Sequence, residues 1–192
     1  MHAKFVYFAG GITLLLLVSL SLKVNNFCNS STVSILQHER PVTGNGVGWI
    51  NHFASVHKGV VAHFPSTVER PMDKCVNVRG NRIVATFSSV NYEKVQEKAC
   101  EEALNSNTTG IDVCFTFNQS FIDAEFRKRN ERIFNENRGA GLWLWKPYIL
   151  LKILLAMDET DVLLYQDVDW LLAGSIEKHI CLQVNLIQHN SV

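Results

Sequence analysis

The sequence predicts an α/β protein with a Rossmann-like, mostly parallel sheet and flanking helices, preceded by an N-terminal transmembrane helix. Short β-rich runs alternate with helix-forming segments between residues 82 and 166, and residues 5–22 carry no charge. At 192 residues and 47% hydrophobic content, the chain suffices for one domain with a core. We therefore divide it into a cytoplasmic tip with a signal-anchor helix over 1–22, a stem over 23–80 and a folded domain over 81–192.

The uncharged N-terminal stretch, FVYFAGGITLLLLVSLSL, is eighteen residues long, which is just enough for a helix to cross a bilayer. It is long for the apolar part of a cleaved signal peptide, although Ser19 and Ser21 leave cleavage possible. It has no polar face, which argues against a buried core helix. We favour a signal-anchor, hence a single-pass type II protein facing the Golgi or ER lumen; the alternative is a secreted protein.

Three sequons and five cysteines agree with that compartment. The sequons predict N-glycosylation at Asn29, Asn107 and Asn118. The cysteines show no CxxC spacing, so they argue against a zinc site and predict one or two disulfides with one thiol left over, in pairings that stay open. Because 18 basic and 18 acidic residues balance, the composition argues against a nucleic-acid partner.

The stem has little pattern, with local order expected around Trp49 to Phe64. The elements predicted after it are a strand over 82–89, a helix over 91–107, a strand over 111–118, a helix beginning near Phe121, a buried helix over 148–157 and a strand from Asp161 to Gln166. Ser120 and Asp123 can form a capping box for the helix near Phe121. Pro147 suits the first turn of the buried helix, because its missing N–H has no partner to lose there.

The last predicted strand ends in Asp167-Val168-Asp169. Two carboxylates at the end of a buried strand repel each other and are poorly solvated, which costs several kcal/mol unless a cation or hydrogen bonds compensate. Mg²⁺ and Mn²⁺ prefer carboxylate oxygens and leave coordination positions for phosphate. The alternative is a solvated turn in which an aspartate caps the backbone.

A second candidate site is the run GAGLWLWKPY over 139–148. Glycines allow a close backbone approach, the tryptophans offer flat surfaces, and Lys146 supplies a cation near a helix start. Here a phosphate could meet Lys146 while a sugar or base stacks on an aromatic ring. The structural alternative is a glycine turn followed by aromatic core packing.

Together these stretches resemble the glycosyltransferase-like proteins of the nucleotide-diphospho-sugar transferase superfamily, whose fold is called GT-A. The resemblance rests on ATFSS at 85–89, RGAGLWLWKPYILLKIL at 138–154 and DVLLYQDVD at 161–169. It implies that the domain over 81–192 is a partial GT-A domain. Because such transferases continue well past the metal motif whereas this chain ends at Val192, we expect a C-terminally truncated form.

The resemblance also implies residue roles. Asp169, with Asp167, would hold Mn²⁺ or Mg²⁺ on the donor diphosphate, and Asp167 would alternatively face the donor ribose or sugar. The residues implied in donor binding are Thr86, Phe87, Ser88, Trp143, Trp145, Lys146 and Asp167, with Lys146 near a phosphate. Neither a catalytic base nor a stereochemical class can be named.

The sequence therefore predicts a membrane-anchored, metal-dependent glycosyltransferase that moves a sugar from a UDP- or GDP-sugar to an unknown glycan, lipid or protein acceptor. One alternative is a non-catalytic or truncated GT-A-like membrane protein that binds a carbohydrate or nucleotide. A weaker one is a structural membrane protein in which the paired aspartates form a solvated turn.

Overall fold

The computed structural model describes residues 4–7, 47–66, 80–105 and 110–168, which form an α/β fold. Its strands are β1 (Lys4–Tyr7), β2 (Val60–His63), β3 (Arg82–Phe87), β4 (Val113–Phe117) and β5 (Val162–Tyr165). Its helices are α1 (Gly48–Val56), α2 (Glu93–Asn105), α3 (Ala124–Arg129), α4 (Glu131–Phe134), α5 (Gly139–Leu142) and α6 (Trp145–Ala156), with 3₁₀ turns at Val90–Tyr92 and Gln119–Phe121.

The strands β2 to β5 form a mixed sheet, and the short β1 extends it beside β5, giving the order β1-β5-β3-β4-β2. Strand β3 lies between β4 and β5 and is parallel to both. Strand β2 runs antiparallel to β4 at the opposite edge from β1. The α/β class and the flanking helices are confirmed. The sheet is mixed, because β1, β5, β3 and β4 pair in parallel whereas β2 is an antiparallel edge strand.

Both α1 and β2 fall inside 23–80, the range that the sequence assigned to the stem. They are part of the fold, because Trp49, Ile50 and Phe53 of α1 are buried in the same core cluster as the sheet. Val60 of β2 is buried there as well. The sequence predicted local order around Trp49 to Phe64. That prediction did not use the helical spacing of Trp49, Ile50 and Phe53, which indicates a buried helix face.

The core has two parts, one on each face of the sheet. On one face α1 and α6 pack against Phe115, Phe117 and other odd-numbered residues of β3 and β4. On the other face α2 packs against Val84, Cys114 and Leu164. Alternate residues of a strand point to opposite faces, and every residue of β3, β4 and β5 is buried, as expected for central strands covered on both sides.

The helix predicted to begin near Phe121 begins at Ala124 instead. Asp123 is its N-cap and accepts a hydrogen bond from the Phe126 amide at 2.6 Å. Ser120 lies in the preceding 3₁₀ turn and does not cap α3, so the predicted capping box is wrong. Asp123, three residues after Ser120, instead accepts a hydrogen bond from one of the free N–H groups at the start of α3.

The Asp123 carboxyl has a shifted pKa. Burial alone would raise it, but the Tyr148 hydroxyl and the Phe126 amide donate hydrogen bonds to the carboxylate. Lys152 and Arg129 add favourable charge, and the pKa falls below its ordinary value of 3.8. This cap therefore stabilises the fold while ionised.

At the sheet edge where β5 begins, Asp161 joins three parts of the chain. Its carboxylate accepts hydrogen bonds from the Trp49 indole at 2.9 Å, the Asn81 amide at 2.6 Å and the Asp158 amide at 3.1 Å. The Asn81 side chain donates a fourth at 2.9 Å. Burial raises the pKa of Asp161 above its ordinary value, in spite of these donors. The hydrogen bonds of Asp161 therefore connect α1 and the start of β3 to the start of β5.

A disulfide between Cys100 and Cys114 ties α2 to β4. The sequence left the pairing open, and the other three cysteines, Cys28, Cys75 and Cys181, lie outside the described residues. Both paired residues are fully buried, so the bond lies between helix and sheet.

The predicted transmembrane helix over 5–22 is wrong at residues 5–7, which belong to strand β1, and its remaining residues lie outside the described part of the chain. Within the described part of the chain, Gly139–Ala156 is apolar and long enough to cross a membrane by length and composition. Its residues Trp145, Ile149 and Ile153 are buried against the sheet, as in the core helix of a globular domain. This stretch therefore gives only weak support for a membrane span.

Candidate functional site

A pocket of about 450 Å³ opens where β3 and β5 end. Because these two strands are parallel neighbours, their carboxyl ends reach the same edge of the sheet, where ligands of open α/β sheets bind. The lining residues come from four segments that follow or flank the strands: Phe87, Ser88, Ser89, Tyr92, Val95, Gly139, Ala140, Trp143, Trp145, Asp167 and Val168.

Aromatic rings form much of the wall. The Phe87 and Trp145 rings stack with centroids 3.9 Å apart and planes 19° apart, and both residues are buried. The Trp145 indole N–H donates to the Gly139 carbonyl at 3.1 Å, which joins the start of α6 to the turn before it. Trp143 is 43% exposed and Tyr92 58% exposed, so both offer ring surface to a ligand.

The segment from residue 139 to 143, which contains the short element α5, has a left-handed backbone and not that of an ordinary α-helix. All five residues have positive φ: Gly139 (61°), Ala140 (49°), Gly141 (95°), Leu142 (50°) and Trp143 (60°). Amino acids with a Cβ lose roughly 1–2 kcal/mol each in this left-handed region. Three of the five are not glycine, so the turn carries strain that other contacts must offset.

Hydrogen bonds hold this left-handed turn closed. The Leu142 amide donates to the Arg138 carbonyl at 2.8 Å, and the Trp143 amide donates to the Gly139 carbonyl at 3.1 Å. The Trp143 ring lies over Gly139 so closely that a Cβ added there would come within 2.5 Å of it. Arg138 approaches the same ring at 5.5 Å. The turn thus presents Trp143 at the pocket.

Among the described residues, Lys146 and Asp167 form an ion pair beside the pocket. Lys146 Nζ lies 2.8 Å from Asp167 Oδ2, and the Tyr165 hydroxyl donates to Asp167 Oδ1 at 3.1 Å. The lysine side chain is 10% exposed and the aspartate side chain 31% exposed. The ion pair therefore joins the two stretches of sequence that were singled out separately.

Behind the end of β3, hydrogen bonds through Gln96 join the Ser88 hydroxyl to the Thr86 carbonyl. The Ser88 hydroxyl donates to the Gln96 side-chain oxygen at 2.7 Å, and the Gln96 amide group donates to the Thr86 carbonyl at 2.8 Å. The Thr86 hydroxyl is fully buried and has no hydrogen-bond partner within the described part of the chain. This network fixes the strand end that carries Ser88.

The structure brings five of the seven predicted donor-binding residues into the pocket wall. These are Phe87, Ser88, Trp143, Trp145 and Asp167. Lys146 stands behind Asp167 as its ion-pair partner, and Thr86 is buried inside the strand. Sequence reasoning did not name Tyr92, Val95 or Ser89, although their position just after the first strand was a usable signal.

The predicted metal pair is described only in part, because Asp169 lies outside the described residues. Within them, no group of three or more His, Cys, Asp or Glu side chains could hold a metal ion. Asp167 is a poor match for a divalent cation as it stands, since the ammonium 2.8 Å from one oxygen repels a second cation there. The described residues therefore do not fit a metal site by themselves.

Of the predicted glycosylation sites, Asn29 and Asn107 lie outside the described residues. Asn118 follows β4 and is partly exposed, with its side-chain oxygen accepting the Ser120 amide at 2.9 Å. Its modification stays a prediction.

No protein-family model matches the chain, and no curated protein and no solved structure is significantly similar to it. The relation to the nucleotide-diphospho-sugar transferases therefore remains a resemblance.

Proposed function

We propose that this protein is a glycosyltransferase that binds a nucleotide-diphosphate sugar and moves the sugar to a glycan, lipid or protein acceptor. The observation that carries the proposal is the convergence of the two sequence motifs in one pocket. The 138–154 stretch supplies Trp143 and Trp145, and the 161–169 stretch supplies Asp167. A partial GT-A domain is the finer fold that this arrangement supports.

The pocket has the properties that such a donor needs. Exposed rings offer stacking surface for a base or sugar, and Asp167 offers acceptors for hydroxyl groups. A volume of about 450 Å³ falls in the range of small-molecule sites. Stacked, buried Phe87 and Trp145 form a wall that excludes water from one side.

A divalent ion, Mn²⁺ or Mg²⁺, remains part of the proposal through Asp169. Such an ion would neutralise charge on the departing diphosphate. Since the described residues do not fit a metal site, no step is assigned to it here, and Asp167 acts through hydrogen bonds.

The proposed setting is a type II membrane protein facing the Golgi or ER lumen. The Cys100–Cys114 disulfide supports it, because disulfides persist in oxidising compartments and are rare in the cytosol. The sequons point the same way.

The direct test measures binding of UDP and GDP by the full chain, with and without Mn²⁺, and sugar release from UDP- and GDP-sugars. We expect saturable binding of one nucleotide, weakened about tenfold by Trp143→Ala, since base–aromatic stacking contributes about 1–3 kcal/mol. Phe64→Ala is the matched control, because Phe64 is also 43% exposed but lies outside the pocket wall. Absence of any nucleotide binding with Mn²⁺ present would refute the proposal.

A second candidate is a non-catalytic protein that binds a nucleotide or carbohydrate. The Lys146–Asp167 ion pair favours it, because a compensated carboxylate binds hydroxyls without a metal. This candidate predicts binding that is unchanged by chelation of metals, together with no sugar release. The enzyme predicts sugar release from a UDP- or GDP-sugar in addition to binding.

A further inference from the structure

In the ion pair beside the pocket, the Asp167 carboxylate faces the pocket and the Lys146 ammonium lies behind it. Asp167 lines the pocket, whereas Lys146 is not among the lining residues that the structure describes. The exposed fractions agree, at 31% for the aspartate side chain and 10% for the lysine side chain. A phosphate entering the pocket would thus meet the carboxylate before the ammonium.

The surroundings of the ammonium also hold it in place. Lys146 Nζ lies 5.3 Å from the ring centroids of both Trp145 and Tyr165, within the range of a cation–π contact. In this poorly solvated setting, moving the ammonium toward a phosphate would leave Asp167 as an uncompensated carboxylate.

The acceptor capacity of Asp167 is only partly used by these contacts. A carboxylate offers about four lone-pair sites, and the donors Lys146 Nζ and Tyr165 hydroxyl each take one. Of the lining residues that the structure describes, Asp167 carries the one formal charge, and the rest are aromatic, aliphatic, glycine or serine. Such a wall suits an uncharged ring that bears hydroxyl groups.

We propose that Lys146 is a positioning residue, which holds the Asp167 carboxylate as an acceptor for hydroxyls of the ligand's uncharged ring and does not bind a donor phosphate. This inference rests on the proposed function and changes one role within it, since the family resemblance implied that Lys146 contacts a phosphate. The phosphates of the donor then lie outside the wall formed by Asp167, Trp143 and Trp145.

The test compares a neutral probe with its charged counterpart in the full chain. Affinities of uridine and UDP, and of guanosine and GDP, are measured for the wild type and for Lys146→Met. We expect the nucleoside and its diphosphate to weaken by the same factor of tenfold or more, so that their affinity ratio stays within about twofold. Lys152→Met, the same change further along α6 and away from the pocket wall, should alter neither.

The opposite pattern would overturn the inference while leaving the proposed function intact. If Lys146→Met weakens only UDP or GDP and spares the nucleoside, the lysine binds phosphate. Arginine retains the charge, so Lys146→Arg should restore at least part of the nucleoside affinity that methionine loses. Failure of that rescue, with nucleoside affinity as low as in Lys146→Met, would count against a positioning role that depends on the charge.

A second measurement does not depend on the nucleotide. Urea unfolding of Lys146→Met, Asp167→Asn and the double variant forms a double-mutant cycle. We expect the double variant to unfold at a higher urea concentration than Lys146→Met, since it no longer contains an uncompensated carboxylate. If the wild type binds no probe, the proposed function and the ligand role fail together. If the two changes are additive, the positioning role itself fails.

Discussion

The left-handed turn over residues 139–143 predicts that a glycine substitution will stabilise this protein, against the usual effect of glycine. Ala140 has φ 49° and ψ 54°, which places it in the middle of the left-handed region. Its side chain is only partly buried. Replacing Ala140 with glycine therefore removes a strained Cβ and sacrifices little packing.

The expected gain follows from two opposing terms. An alanine in this region loses roughly 1–2 kcal/mol relative to a glycine. Glycine in turn gives the unfolded chain extra conformational entropy, which costs about 0.5–1 kcal/mol. The balance is a stabilisation of about 0.5–1 kcal/mol, or a rise in Tm of about 2 °C for a chain of this size.

Urea unfolding followed by tryptophan fluorescence measures this change as a shift of the midpoint at constant slope. Ala103→Gly in the interior of α2 is the matched control, because that residue is helical and buried; it should lose about 1 kcal/mol or more. If Ala140→Gly destabilises as Ala103→Gly does, residue 140 is not left-handed in solution. The account of how Trp143 is presented at the pocket would then be wrong.

Three further predictions concern contacts that stabilise the fold. Asp161→Ala should lower the free energy of unfolding, measured in urea, by about 4 kcal/mol or more, because four N–H donors lose a buried acceptor. A loss below about 1 kcal/mol would contradict this hydrogen-bond network. Asp123→Ala should lose about 1 kcal/mol at pH 7. That loss should shrink as the pH falls through the lowered pKa of Asp123, below 3.8, because the native carboxylate takes up a proton there. If the loss stays constant down to about pH 2, the carboxylate does not act as a charged cap. Reducing the Cys100–Cys114 disulfide, whose cysteines are fourteen residues apart, should lower the free energy of unfolding by about 3 kcal/mol, because the unfolded chain gains loop entropy. Equal urea midpoints with and without reductant would count against the disulfide.

The sequence predicted the strands and helices of the domain well where a pattern repeated over several residues. The strand over 82–89 appears as Arg82–Phe87, and the helix over 91–107 appears as Glu93–Asn105. Their burial and helix propensity are local properties, which a sequence displays directly. The antiparallel pairing of β2 with β4 joins Val60 to Phe117 across more than fifty residues, and no local pattern contains that information.

The sequence predicted where the candidate site lies, but not which of its side chains contact each other. The rule that ligands meet the carboxyl ends of parallel strands placed Ser88 and Asp167 at one edge, as the pocket has them. The sequence could not show that Lys146 faces Asp167, because residues twenty-one apart meet only through the geometry of α6 and β5. Nor could it show a left-handed turn at Ala140, since a sequence with alternating glycines also suits an ordinary loop.

The left-handed turn over 139–143 and the Lys146–Asp167 ion pair are connected through the start of α6. Trp145, at its first position, donates to the Gly139 carbonyl and stacks on Phe87, so it links the strained turn to the end of β3. The next residue, Lys146, binds Asp167 at the end of β5. One helix start therefore sets both the aromatic and the charged part of the wall. A change that shifts α6 should alter ring stacking and hydroxyl recognition together, whereas a change within the turn should alter stacking alone.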